Sequence, residues 1–324
     1  MTDYDVIVVG CGPTGLMACG ELAKRGVRVL GIDKKPLLGI NKRTVSGYCF
    51  LNQPFNNEII RTEEEGGKTV LNYTNCNFSV EYDGIMQGIY NTYMFSDSGR
   101  YWKASTTKKP LYNLFNATKC LDVRYRWATR NGAEFLTETL AYKVSQTEKK
   151  VGVYVRTHGN DRIITCKKLI ASDGLSSRIA KKTGANRTRH FFAKGPCIEY
   201  EMTGVACPYD RGDMLFFGNR NFGGMAGALI MVPSSVTDDA FRLETMSVLP
   251  ATTSAQLVEY FIKKGPYAHW FANAEIVDIS GALVELISPM IVPYQGNILF
   301  AGDSAAFAEC LYQSATMEGY MSDV

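Results

Sequence analysis

The chain has 324 residues, 46% hydrophobic and 21% charged, with a formal net charge of +3. That is ordinary globular composition, enough for one large or two interleaved domains, and too weakly basic to point to nucleic acid as a partner. The nine cysteines are scattered and form no C-x-x-C pair, which argues against a disulfide framework, a structural zinc or a cysteine-held iron–sulfur cluster.

The first element is Asp5-Val-Ile-Val-Val9, a β-branched run with turn residues after it, as in a buried parallel strand. Gly10-Cys-Gly12-Pro13-Thr14-Gly15 follows and matches G-x-G-x-x-G. A helix-periodic stretch (Leu16, Met17, Cys19, Leu22, Ala23) runs to Gly26, and a second strand, Val27–Ile32, ends at Asp33. In this order the glycines have distinct tasks. Gly10 makes the tight turn, Gly12 lets backbone approach a pyrophosphate, and Gly15 lets helix and strand pack closely. Pro13 and Thr14 open the helix whose N-terminus faces the phosphates, and Asp33 is placed to accept hydrogen bonds from a ribose diol.

Residues 34–44 read as a loop, and 46–107 as short antiparallel strands such as Lys68–Tyr73 and Cys76–Glu81. Leu111–Arg130 has helical spacing and ends at Asn131-Gly132. A meander follows: 141–147, Lys150–Arg156, a turn at 158–161 and Arg162–Cys166. A further strand, 168–172, ends at Asp173-Gly174. Residues 191–285 again read as antiparallel, broken by a helix at Ser254–Lys264. Gly296–Gly302 is a strand ending at Asp303, with helix expected from Ser304. His158, His190 and His269 lack metal-ligand spacing and read as surface or packing residues, so no metal is expected.

With these motifs in this order the sequence resembles the flavoprotein group of geranylgeranyl reductases, FixC-type oxidoreductases and, more distantly, aromatic-ring hydroxylases. The resemblance rests on the N-terminal fingerprint with Asp33, the Asp-Gly motif in IASDGLSSRIAKKTG and the Gly-Asp motif in GNILFAGDSAA. PCIEYEMTG and the segment leading into the last strand resemble the reductase branch in particular. The resemblance implies an α/β chain: a glutathione-reductase-like, FAD-binding Rossmann domain (1–48, 108–188 and 286–324) interleaved with an antiparallel-sheet substrate domain (49–107 and 189–285). It implies FAD as cofactor. Gly10, Gly12, Pro13, Thr14, Gly15, Asp33 and Lys34 would be cofactor-binding residues, and the Asp173-Gly174 turn would lie near the pyrophosphate. Gly302 would let the ribityl chain pass, and Asp303 would accept its hydrogen bond.

The loop KPLLGINKRTVSGYCF corresponds to the segment that runs over the flavin in relatives and often carries a cysteine before its glycine. Here Ser46 precedes Gly47 and Cys49 follows it, so Ser46 and Cys49 are the candidate catalytic proton donors. Arg43, or Lys42, is a candidate to meet phosphate or reduced flavin. Relatives tend to carry Tyr-x-Trp-x-Phe-Pro on a substrate-facing strand, where this chain has Ala226-Gly-Ala-Leu-Ile-Met-Val-Pro233. The leading expectation is an FAD-dependent oxidoreductase reducing carbon–carbon double bonds of an apolar, isoprenoid-like substrate. The alternatives are an aromatic monooxygenase using NAD(P)H and oxygen, or a FixC-like electron-transfer flavoprotein. NAD(P)H or an electron-donor protein is the candidate reductant, and the expected location is cytoplasmic, with peripheral membrane contact left open. No secretory signal pattern and no apolar run long enough to span a bilayer is visible.

Overall fold

The computed structural model describes residues 2–39, 47–51, 54, 58–96, 98–225, 227–246 and 253–306. The chain begins β1 (Tyr4–Val9), α1 (Pro13–Lys24), β2 (Val29–Ile32) and β3 (Gly47–Leu51). Short strands follow: β4 (Ile60–Glu65), β5 (Lys68–Tyr73), β6 (Phe78–Tyr82), β7 (Met86–Ile89), β8 (Asn91–Phe95), β9 (Tyr101–Ser105) and β10 (Tyr112–Asn116). The middle is α2 (Ala117–Arg130), β11 (Glu134–Leu136), β12 (Thr139–Gln146), β13 (Val151–Thr157), β14 (Asn160–Ala171) and α3 (Arg178–Thr183). The rest is β15 (Phe191–Thr203), β16 (Asp213–Phe217), β17 (Ala228–Pro233), β18 (Phe241–Met246), α4 (Ser254–Lys263), β19 (Glu275–Ile287), β20 (Tyr294–Gln295) and β21 (Ile298–Phe300).

Two compact units share these elements. The first holds Met1–Ile40, Leu121–Phe192 and Leu286–Val324, and the second Asn41–Cys120 and Ala193–Glu285. In the first, the sheet order is β11-β2-β1-β14-β13-β12, with β21 on β14 and β20 on β21. β1 pairs in parallel with β2 and β14, and β21 pairs in parallel with β14. Both faces are covered, so β1 reads as a continuous apolar run rather than an alternation. Ile7, Val9, Leu169, Ala171, Ile298 and Phe300 share one cluster, and Val8 packs with Ala18, Cys19 and Ala128 in another.

Two expectations are corrected here. Arg162–Cys166 and the strand ending before Asp173 are one continuous strand, β14. Its first part pairs antiparallel with β13, and its last part lies parallel to β1 and β21. The helix expected over Leu111–Arg130 starts only at Ala117. Tyr112–Asn116 is instead the strand β10, paired antiparallel with both β3 and β7. Tertiary pairing overrides helical spacing there, because those backbone groups find two ladder partners. The unit boundary accordingly falls at Cys120/Leu121, beyond the expected 107/108.

In the second unit β8 and β16 pair in parallel, while the β15–β18, β18–β17, β17–β16 and β8–β9 pairs are antiparallel. Its seven-stranded sheet runs β19-β15-β18-β17-β16-β8-β9, beside three-stranded sheets β3-β10-β7 and β4-β5-β6. Strand alternation divides its residues cleanly. Leu215, Phe217, Leu229, Met231 and Leu243 pack with Leu257, Val258 and Phe261 of α4 on one face. Met214 and Val232 on the other face pack with Ile89 and Leu114 of the β3-β10-β7 sheet. Thr253 and Gln256 form a reciprocal capping box at the start of α4.

Glu58, 1% exposed, organises the small β4-β5-β6 sheet. Its carboxylate accepts N–H bonds from Ile59 (2.7 Å), Asn75 (2.9 Å) and Cys76 (2.7 Å), and a hydroxyl bond from Thr74 (3.2 Å). Burial alone would raise its pKa, but these donors outweigh burial and hold it at about 2, against the usual 4.5. A depressed carboxylate pKa contributes stability that is present above pH 4.5 and is lost as pH falls toward 2. Glu58→Ala is expected to cost about 3 kcal/mol, since it strands buried donors. Glu58→Gln should remove much of the pH dependence in that acidic window. Urea melts of the three proteins at neutral and acidic pH check both outcomes.

Candidate cofactor-binding site

The glycine motif closes on the end of β14. Gly10 has φ +95°, and a Cβ there would overlap the Ser172 carbonyl. A Cβ on Gly15 would overlap the Gly10 carbonyl. Ser172 fastens this turn, its hydroxyl donating to the carbonyls of Gly10 (2.7 Å) and Val9 (3.2 Å). Gly12 is different: nothing lies within 4 Å of a Cβ built on it. It is the N-cap of α1, with no side chain capping it, Pro13 at the first helical position and no acidic residue in the first turn. Among the described residues no side chain caps this helix start, and no first-turn carboxylate competes for the positive end of its dipole, as an anionic pyrophosphate requires.

Asp33 sits at the end of β2 and accepts from the backbone N–H of Cys11 (2.7 Å) and Lys35 (2.9 Å). One carboxylate thus ties the β2 end to the glycine loop and still offers lone pairs to a ribose. Lys34 is exposed beside it.

Asp173, Gly174 and the Gly302–Ser304 turn meet directly. The Gly174 N–H donates to the Ser304 hydroxyl (3.0 Å), and that hydroxyl donates to Asp173 (3.2 Å). Asp173 also accepts from Ser177 Oγ (2.5 Å) and the Arg178 N–H (2.8 Å), while Ser177 Oγ caps α3 through the Ala180 N–H (2.9 Å). The Asp173 carboxylate is thus committed to holding α3 and Ser304, and the Gly174 N–H to Ser304, while Gly174, at φ +84°, leaves open space at its Cβ position through which a ligand can approach the turn. Gly302, at φ +57°, lies so close to Thr14 that a Cβ would overlap the Thr14 hydroxyl. The three motifs therefore converge within one unit. Ser172, Ser304 and Arg189, whose guanidinium donates to the Ser304 carbonyl (3.1 Å), complete the joint. Sequence reasoning missed these three as site residues. Ser172 and Ser304 each adjoin a motif aspartate, which is the signal that could have found them; Arg189 carries none.

Asp303 is half-buried, and its carboxyl makes no hydrogen bond with the described residues. Burial raises its pKa, with no neighbouring donor to oppose the shift. A hydroxyl-bearing ligand would supply that donor, which fits a flavin's ribityl chain. Pro13 and Thr14 stand at the helix start as expected. Arg43, Ser46 and Lys42 lie outside the described residues. Where helix is expected from Ser304, the described residues form a 3-10 turn over Gly302–Ser304 followed by Ala306 at φ +54°, and the remainder lies outside them. Cys49 lies on β3, its backbone opposite Leu114 of β10. Among the described residues no cluster of His, Cys, Asp or Glu could hold a metal, and no helix is long and apolar enough to cross a membrane.

Residues 3–45 match the family model for an FAD binding domain. The chain is 26% identical to digeranylgeranylglycerophospholipid reductase 2 of Methanosphaera stadtmanae, over 96% of this chain and 73% of that protein. It is 27% identical to the digeranylgeranylglycerophospholipid reductase of Methanocaldococcus jannaschii, over 93% of this chain and 70% of that protein. Among solved structures, a geranylgeranyl bacteriochlorophyll reductase-like protein from Thermoplasma acidophilum superposes with a TM-score of 0.74 at 17% identity, covering 98% of this chain and 76% of that one. The p-nitrophenol 4-monooxygenase of Pseudomonas putida follows at 0.68 and 15% identity, covering 99% and 77%. The resemblance to the geranylgeranyl reductase group holds in sequence and in fold, and the cofactor is FAD.

Two substitutions separate packing from ligand approach. Gly12→Ala should fold with a stability loss of no more than about 1 kcal/mol, yet bind FAD at least roughly tenfold more weakly. Gly15→Ala, driven into the Gly10 carbonyl, should cost about 3 kcal/mol. Thermal melts and flavin titration of the two proteins check this. Asp303→Ala should weaken FAD binding by roughly ten- to hundredfold, the worth of a charge-assisted hydrogen bond, with the melting temperature of the flavin-free protein held or raised.

Proposed function

For this FAD-dependent oxidoreductase, we propose reduction of carbon–carbon double bonds in an apolar, isoprenoid-like chain. The observation that carries the reading is the convergence of Thr14, Gly174 and Ser304 beside the open Gly12 backbone, the cradle expected of a bound FAD. The substrate class comes from the curated relatives, which are named as reductases of digeranylgeranylglycerophospholipids. The flavin, when bound and reduced, supplies a hydride to one alkene carbon, and an acid must supply a proton to the other.

The chain's own residues have three tasks in this scheme. Gly12 and the start of α1 receive the pyrophosphate through backbone groups, and the open Cβ position of Gly174 lets it pass the Asp173 turn. Asp33 and Asp303 take the ribose and ribityl hydroxyls. Ser46 and Cys49 are the proposed proton donors, of which Cys49 is the stronger acid in its ordinary state. NAD(P)H or an electron-donor protein is the proposed source of electrons, and peripheral membrane contact suits a lipid substrate.

The test is anaerobic. The holoprotein is reduced with dithionite, freed of excess reductant, and mixed with a geranylgeranylated lipid. The expected result is lipid-dependent reoxidation of the flavin, with two hydrogens gained per saturated double bond by mass spectrometry. Reoxidation only by oxygen, with hydroxylation of an aromatic substrate and fast reduction by NAD(P)H, would establish the monooxygenase alternative instead. Reoxidation only by a quinone would establish the electron-transfer one.

A further inference from the structure

We infer that the β8–β9 hairpin, at the edge of the seven-stranded sheet, is a docking surface for a bilayer with anionic headgroups. β9 ends the strand order, so among the described residues one side of its backbone has no ladder partner in the sheet. Around it the side chains are unusual for a solvated edge. Trp102 is 61% exposed, Tyr101 53%, Met94 52% and Tyr90 39%. Single exposed apolar residues are common, but Met94 and Trp102 are exposed together on one face, while Tyr101 stands on the other against Tyr93 (5.1 Å) and Phe95 (5.6 Å), and Tyr90 just precedes the hairpin. Met94 and Trp102 are direct cross-strand partners, so their side chains stand together on one face.

Charge completes the surface. Arg100, Lys108 and Lys109 are exposed within the same segment, Lys103 holds its ammonium over Tyr93 on the other face (4.9 Å), and the sequence from Tyr90 to Pro110 holds one acid, Asp97. Tryptophan and tyrosine favour the headgroup level of a bilayer, where the ring is apolar and its polar edge stays wet. Lysine and arginine beside them add attraction to anionic lipids, worth about fivefold in affinity per residue. A lysine-bearing edge alone would serve to block strand pairing. That role does not need exposed Trp102 and Met94.

The exposed pair also continues inward. Met94 lies opposite Phe216, Phe216 opposite Ile230, and Ile230 opposite Glu244. An apolar row therefore crosses four strands from the hairpin edge before reaching the first carboxyl. A chain leaving a bilayer at Trp102 would meet apolar side chains along that row. This surface goes beyond the proposed reaction, and rests on it only in taking a lipid phase as the partner.

Vesicle binding tests the inference without turnover, so its failure is distinguishable from failure of the reductase reading. The FAD-loaded protein is sedimented with vesicles of phosphatidylcholine alone and of phosphatidylcholine with phosphatidylglycerol, at low and high salt. The expected result is binding at least tenfold stronger to the anionic vesicles, weakened by salt. It comes with a blue shift of tryptophan emission that Trp102→Phe removes, since Trp270 is 6% exposed and Trp127 is only half-exposed. Met94→Ser with Trp102→Ser, and Lys108→Glu with Lys109→Glu, should each weaken binding at least tenfold, with flavin content and melting temperature unchanged. No binding, equal binding to both vesicles, or binding that these variants leave unmoved would overturn the inference. So would concentration-dependent dimerisation abolished by the same variants, which would make the edge a strand-pairing surface for a second copy.

Discussion

The Ser304 hydroxyl holds together parts of the chain that lie far apart in sequence. It accepts the Gly174 N–H and donates to Asp173, so a residue after β21 fixes the turn after β14. β14 in turn lies between β1 and β21, and Ser172 at its end fastens the Gly10 carbonyl. The cofactor cradle is therefore a property of the ends of three parallel strands, β1, β14 and β21, aligned in one sheet, at the edge where ligands gather in such sheets. Small residues make the alignment possible. Of the three motif glycines and Gly302, Gly10 and Gly15 are packed to the limit, Gly302 is pressed against Thr14, and Gly12 is left open. The same residue type serves close packing at three positions and ligand approach at the fourth.

Much of this was legible in the sequence, because each motif is local. A β-branched run followed by glycines and a helical period describes β1–α1–β2 without help from the rest of the chain. Asp33, Asp173 and Asp303 stand at strand ends where the sequence placed them. Their division of labour was only partly legible. Asp173 reads as a ligand-facing acid, yet its carboxylate is engaged by Ser177, Arg178 and Ser304, whereas Asp303 has no protein donor among the described residues. Two of those partners, Ser177 and Arg178, lie four and five residues on and are a local signal, whereas the Ser304 contact spans 131 positions and leaves no trace in local pattern.

Periodicity failed where two partners compete for one segment. Leu111, Leu114 and Phe115 have helical spacing, but Tyr112–Asn116 finds β3 on one side and β7 on the other. Asn116 marks the change of state. Its N–H donates to the Tyr82 hydroxyl (2.7 Å), and its side chain accepts from the Lys119 N–H (3.1 Å), the pattern of a helix N-cap. An Asn three residues ahead of an N–H it can accept from is a start signal that helical spacing upstream had masked.

The seven-stranded sheet shows how one antiparallel frame carries two chemistries. Its α4 face is continuous aromatic and aliphatic packing, with Phe217 stacked on Phe95 at 4.8 Å and tilted against Phe261 at 4.7 Å. The opposite face changes character between β17 and β18. Beyond Ile230 and Val232 stand Glu244 and Arg242, and beyond those Glu199 and Glu201. Arg242 and Glu199, each 2% exposed, pair at 3.7 Å. Burial raises the pKa of Glu201 and of Glu244, and the charge of Glu199 adds to the rise at both. Three carboxyls against one guanidinium would be costly if all were ionised. Shifting the two toward their neutral form relieves most of that cost and leaves Arg242–Glu199 as the ionic pair. Such a pair contributes little net stability over apolar packing. What it does provide is polar groups in the interior of the sheet, directly where the apolar row from Trp102 through Ile230 ends, so the row has a fixed length set by strand register rather than by any loop.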